Sequence, residues 1–152
     1  MGPAERGRVF PVAPDRQAIS APGAPPAIGP YSHAVLVDLR SAGGLLFCSG
    51  QIPLDPASGE LVGSTAAEQA QRCLQNLQAV CEAAGASLAQ AVRVTVFMTD
   101  LADFAAVNEA YTSFFGGEAQ PARVAVQVSG LPKGALVEVD AIVAVSQGQL
   151  EP

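Results

Sequence analysis

Arg123 follows Pro121-Ala122 and opens an alternating apolar run, which sets a guanidinium on a stiff extended segment. A strand-borne guanidinium is a rigid fork that can take both oxygens of a planar carboxylate. On spacing alone, the simpler reading is an edge arginine paired with Glu138 or Asp140. Glu138 stands between Val137 and Val139 in the last apolar run. Such a carboxylate can orient water or take a proton, or it can merely neutralise an arginine. Asn108 falls beside an apolar helical stripe, between Phe104 and Tyr111. A polar amide there needs partners, either a ligand or a neighbouring backbone carbonyl. Gly29-Pro30-Tyr31-Ser32 places Tyr31 after a rigid turn, where it either lines a pocket or staples the chain to the core. Ser49-Gly50-Gln51 ends a strand, and a glycine there lets a ligand approach the backbone closely.

A serine nucleophile would need a base, and His33 is the sole histidine. No triad pattern links His33 to Ser49, so His33 reads as a surface or interface residue. The chain has no glycine-rich phosphate loop, no H-E-x-x-H and no C-x-x-C. The expectation is chemistry without metal or cofactor.

These residues need a frame. Ala34–Asp38 and Gly44–Ser49 read as a β-hairpin. Thr65–Ala84 reads as a helix opened by a T-x-x-E capping box (Thr65, Glu68), with Ala67, Ala70, Leu74, Leu77, Cys81 and Ala84 on its buried face and Gly85 past its end. Ala91–Thr99 reads as a strand. Asp100 caps a second helix, Leu101–Phe115, with a stripe of Leu101, Phe104, Val107, Tyr111 and Phe114. Ala122–Ser129 and Ala135–Val145 are the last strands, separated by the turn Leu131-Pro132-Lys133-Gly134. The predicted order is β-β-α-β-α-β-β, an α+β fold in which two helices cover one face of a mixed sheet. The other face, carrying Gln127, Ser129, Glu138 and Asp140, is semi-polar and suits an oligomer interface.

The 152 residues suit one domain, spanning 17–147, with a Pro-rich extension 1–16 expected to be disordered and a short tail 148–152. With 49% hydrophobic residues but only 5% aromatics, the core must be built from Val, Leu, Ile and Ala. The net charge is −6 and Lys133 is the only lysine, so nucleic acid and anionic membrane surfaces are poor partners. Cys48, Cys73 and Cys81 cannot all pair and fit no zinc spacing, which reads as buried thiols in a reducing compartment. No apolar run reaches the roughly 20 residues of a membrane span, and Met1–Pro30 lacks a signal-peptide layout. The expected location is the cytoplasm.

Taken together, the segments Ala27-Ile28-Gly29-Pro30-Tyr31-Ser32, Ser49-Gly50-Gln51-Ile52, Val107-Asn108 with Phe114-Phe115, Pro121-Ala122-Arg123 and Leu131-Pro132-Lys133-Gly134 with Val137-Glu138-Val139 resemble the RidA family (YjgF, L-PSP), reactive-intermediate deaminases. The resemblance runs from about Ala18 to Ala144. It implies a chorismate-mutase-like fold and a homotrimer whose sheets form a barrel with clefts between subunits. It implies hydrolysis of enamine and imine intermediates such as 2-iminopropanoate and 2-iminobutanoate to 2-keto acids and ammonia. Arg123 would then hold the substrate carboxylate and Glu138 would orient or activate the attacking water. Tyr31, Ser49, Gly50 and Asn108 would line the cleft. Ala125 stands where many relatives carry a cysteine, and His33 where glutamine is more usual. The loop Gly116–Gln120 reads as shorter than in some bacterial relatives. Two alternatives stay open: an endoribonuclease or translation inhibitor, and a non-catalytic member that binds small carboxylates or acts as a chaperone.

Overall fold

The computed structural model describes residues 15–117 and 120–150. Six strands make one mixed sheet in the order β1-β2-β3-β6-β4-β5. They are β1 (Asp15–Ile19), β2 (Ala34–Asp38), β3 (Gly44–Gln51), β4 (Ala91–Met98), β5 (Ala122–Gln127) and β6 (Val137–Val145). Helices α1 (Ala66–Ala83) and α2 (Phe104–Phe115) pack together, and α1 lies across β6 and β3. A short α3 spans Gln147–Leu150. The fold is α+β, with the two long helices on one face of the sheet, as the sequence predicts.

The sequence order omits β1, which pairs antiparallel with β2 from Asp15↔Asp38 to Ile19↔Ala34. Asp-Arg-Gln-Ala-Ile has neither alternation nor β-branching before its last residue, so only the ready-made edge of β2 makes it a strand. Of the expected extension 1–16, residues 1–14 lie outside the described residues, and Asp15 and Arg16 belong to β1.

In α1, Thr65 Oγ1 accepts from Glu68 N at 3.2 Å, one arm of the expected capping box. The Glu68 carboxylate reaches back one residue further than the motif requires, to Ser64 N at 2.9 Å. Gly85 ends the helix at φ +73°, in the left-handed region. The buried face is Ala70, Cys73, Leu74, Leu77, Val80 and Cys81, shifted slightly from the predicted stripe. Asp100 Oδ1 caps a 3₁₀ turn, Leu101–Asp103, by accepting from Ala102 N at 2.9 Å. A 3₁₀ turn winds about three residues per turn, so the helical phase slips before α2 begins. The buried residues of α2 are Val107, Tyr111 and Phe115, whereas the predicted Leu101 and Phe104 are 45% and 37% exposed.

Alternation in β6 is strict. Val137, Val139, Ala141, Val143 and Val145 are buried under the helices, and Glu138, Asp140, Ile142 and Ala144 face the other way. On β4, Val94, Val96 and Met98 share the helix side. The parallel register Val94↔Arg123, Val96↔Ala125, Met98↔Gln127 therefore places Arg123, Ala125 and Gln127 on that same side. This corrects the expectation that Gln127 joins Glu138 and Asp140 on the uncovered face. Gln127 Oε1 instead accepts from Leu101 N at 2.9 Å, tying β5 to the turn that precedes α2. The uncovered face carries Phe47, Thr95, Val124, Glu138, Asp140 and Ile142, with Phe47 43% exposed.

Candidate functional site

The predicted site residues fall into two groups. The first surrounds a cleft of about 210 Å³ lined by Tyr31, Ser49, Gly50 and Glu138, with Ile28, Ile52 and Pro132 as apolar walls. Its geometry comes from a β-bulge. Cys48 pairs with Ala141 but Gln51 pairs with Val139, so β3 carries one residue more than β6 across this interval. The bulge sets Gly50 directly against Glu138. A Cβ on Gly50 would fall 2.5 Å from Glu138 Oε1, so a larger residue here would push the carboxylate from its place. Ser49 Oγ donates to Ser32 O at 2.6 Å, which fixes the hydroxyl and leaves its lone pairs as acceptors. Tyr31 is held by Gly29 O, and its hydroxyl accepts from Ile28 N at 3.2 Å while keeping its proton to donate.

Glu138 is half-buried, and its carboxyl holds its proton more tightly than an ordinary glutamate. Burial is the larger cause and the neighbouring Asp140 the smaller. A carboxyl poised this way can give and take a proton nearer neutrality than a solvated one.

The second group sits on the helix side of β5. Arg123 is exposed beside a recess of about 430 Å³ that Asn108, Tyr111, Thr112, Gln120 and Pro121 share. Arg123 Nη1 donates to Asn108 Oδ1 at 2.6 Å. Its guanidinium carbon lies 4.8 Å from the Tyr111 ring centroid and 5.6 Å from that of Phe104. Among the described residues no carboxylate pairs with it, so the ion pair with Glu138 or Asp140 allowed by spacing is not formed. Arg123 and Glu138 project from opposite faces of the sheet. One chain therefore holds two candidate half-sites, a guanidinium on the helix side and a half-buried carboxyl of raised proton affinity on the uncovered side.

His33 corrects another expectation. It is only 8% exposed. Its Nδ1 accepts from Ala21 N at 3.0 Å, so Nε2 carries the proton and donates to Pro25 O at 2.7 Å. Both nitrogens are spent on pinning residues 21–25 to β2, and none is left to serve Ser49. All three cysteines are buried and free. Burial raises the Cys73 thiol, and contact with Cys81 together with burial raises that of Cys48. Among the described residues no group of three or more His, Cys, Asp or Glu side chains gathers as a metal site. No described helix is long and apolar enough to cross a membrane.

Sequence reasoning missed Asn76. It lies fully buried in α1, where Nδ2 donates to Ile52 O at 3.3 Å and to Leu54 O at 3.0 Å. Arg72 Nε and Nη2 donate to its Oδ1 at 3.0 and 2.7 Å. It thereby fixes the turn that carries Ile52, a wall of the first cleft. The signal available in the sequence was an asparagine falling on the apolar face of a helix.

The six-stranded sheet and the two helices on one of its faces define a small α+β domain. The family model described as Endoribonuclease L-PSP matches residues 21–145. The chain belongs to this family, the RidA/YjgF/L-PSP family. It is 55% identical over 127 residues to Protein DfrA of Myxococcus xanthus, covering 84% of this chain and 94% of that one. It is 46% identical over 127 residues to the 2-iminobutanoate/2-iminopropanoate deaminase of Rattus norvegicus, covering 84% of this chain and 88% of the relative. Among solved structures, E. coli TdcF with bound serine superposes with a TM-score of 0.76 at 42% identity, covering 86% of this chain and 99% of that one.

Proposed function

We propose that this protein hydrolyses imine and enamine intermediates of small amino acids, of the 2-iminopropanoate and 2-iminobutanoate type, to 2-keto acids and ammonia. The observation that carries this reading is the guanidinium of Arg123, tethered on one nitrogen and unpaired with any described carboxylate. A 2-imino acid brings one permanent anion, and this fork is its natural partner. The elevated proton affinity of Glu138 supplies the second requirement, a group that takes a proton from attacking water.

In the reaction, a protonated imine carbon is already electrophilic. Water adds to C2 as Glu138 takes its proton. That proton then passes to nitrogen, the C–N bond breaks with its electron pair leaving on ammonia while the freed Glu138 carboxylate takes the hydroxyl proton, and the carbonyl keeps the oxygen of water. Positioning does most of the catalytic work, and no electron transfer is involved. Tyr31, Ser49 and Gly50 line the reacting end beside Glu138, and Asn108 stands with Arg123.

Because the half-sites face opposite sides of the sheet, a complete site requires a second copy. The uncovered face bearing Phe47, Val124 and Ile142 offers the apolar surface to recruit it. We assign the working form as a homotrimer with three sites at its seams, in the cytoplasm. The endoribonuclease reading draws on the family description alone, and a net charge of −6 opposes it.

The test is a coupled assay. A threonine dehydratase generates the imine, semicarbazide competes for it, and 2-ketobutanoate release is followed. The protein is expected to accelerate release, and Arg123→Ala to abolish the effect while the oligomer stays intact by light scattering. No acceleration by the wild-type protein would sink the proposal. Cleavage of RNA at low salt would revive the ribonuclease reading.

A further inference from the structure

We propose that Phe104 and Tyr111 are positioning residues for Arg123, forming with Asn108 an aromatic clamp on α2 that sets how strongly the site grips a carboxylate. The inference rests on the reading of Arg123 as the carboxylate anchor.

Phe104, Asn108 and Tyr111 recur at helical spacing, so one face of α2 presents ring, amide, ring in succession. Asn108 Oδ1 takes Nη1 at 2.6 Å, and the Tyr111 and Phe104 rings approach the guanidinium carbon to 4.8 and 5.6 Å. These are cation–π distances. A guanidinium has five donors. One is spent on Asn108, and among the described residues the Nε–Nη2 edge is unbonded, which is the edge a carboxylate can meet with two parallel hydrogen bonds. The clamp thus fixes the plane of the fork before a ligand arrives, and the entropy of ordering a long side chain is not charged to binding.

Two further observations point the same way. Phe104 is 37% exposed although it is a large apolar ring, and its approach to Arg123 accounts for a ring left at the surface. Tyr111 is buried with its hydroxyl unpartnered, so its position is held by the ring rather than by a polar bond. The clamp also assigns Asn108 to holding Arg123, where the sequence reading has it touch substrate.

The test compares binding of 2-oxobutanoate and its methyl ester to the full chain by calorimetry. Variants are Phe104→Leu, Tyr111→Leu and Tyr111→Phe, with folding checked by near-UV circular dichroism. Both leucine variants are expected to bind the acid more weakly, on the order of three- to tenfold each, with ester binding unchanged. Tyr111→Phe keeps the ring and should stay within about twofold of wild type. Phe104 lies at the surface, so its variant serves even where Tyr111→Leu fails to fold. Unchanged acid binding in Phe104→Leu, equal loss of acid and ester, or a loss in Tyr111→Phe matching that of Tyr111→Leu would each overturn the clamp. Failure of the wild-type protein to prefer the acid over the ester would instead remove the underlying reading of Arg123.

Discussion

Glu138 shows how much of a residue's setting its sequence neighbours can tell. Between two valines it looks packed, and the structure half-buries it against Gly50 with Asp140 nearby. Its proton affinity is raised in the folded protein, which fixes the sign of two pH effects. The folded state binds this proton more tightly than the unfolded chain. Stability is therefore undiminished well below the ordinary value of 4.5 and falls as pH climbs through and above it. Glu138→Gln removes that cost, so chemical denaturation from about pH 4 to 7 should show the variant gaining on wild type as pH rises. On the function proposed above, the same variant should lose deaminase activity. In the wild type, kcat/KM should drop on acidification at a pH above that of a solvated glutamate, because the base form is being lost. Arg123 was legible as a fork from its strand and its neighbours. Its real partners were not, because which side of a strand faces the helices depends on register, and the parallel pairing of β5 with β4 is a non-local choice. The role of His33 was hidden for a related reason. Its two bonds go to backbone atoms of an irregular arm that no periodicity predicts.

Among the elements, the hairpin, both long helices and the central strands were readable, because alternation and helical stripes survive in a single sequence. The phase of α2 was not, since a 3₁₀ turn precedes it. The bulge in β3 also escaped, because an extra residue leaves no mark until its partner strand is known. Asn76 ties these elements together by holding the turn after the bulge to α1. Asn76→Ala removes a donor from two buried carbonyls, of which Ile52 O keeps Leu54 N at 2.8 Å and Leu54 O is left bare, and it takes the acceptor from Arg72. Each buried polar group left unpaired costs about 1–3 kcal/mol. We expect a loss on the order of 3 kcal/mol in urea unfolding. An unchanged midpoint would show that these carbonyls find water.

For the whole molecule, the decisive feature is that Arg123 and the Glu138 carboxyl open to opposite faces. If sites form only between copies, two inactive proteins should repair one another. Arg123→Ala and Glu138→Gln are each expected to be dead alone. Dissociated together and reassembled at equal amounts, they should recover activity at about a quarter of the seams, where an intact Arg123 meets an intact Glu138. No recovery, with mixed oligomers proven by mass spectrometry, would place both residues of a working site in one chain. The sequence already left one semi-polar sheet face for a neighbour; what spacing could not give is that Arg123 lies on the opposite, helix side, since that follows from the parallel register of β5 on β4.

Burying every cysteine has a practical outcome. Cys48 sits on the central sheet, and Cys73 and Cys81 on the helix that covers it, with Cys73 Sγ against Val137 O at 3.5 Å. An alkylating reagent can meet these sulfurs only after the helix lifts from the strands. The native chain thus carries its own unlabelled gauge of breathing: the pace at which thiols become titratable would time that separation without any introduced probe.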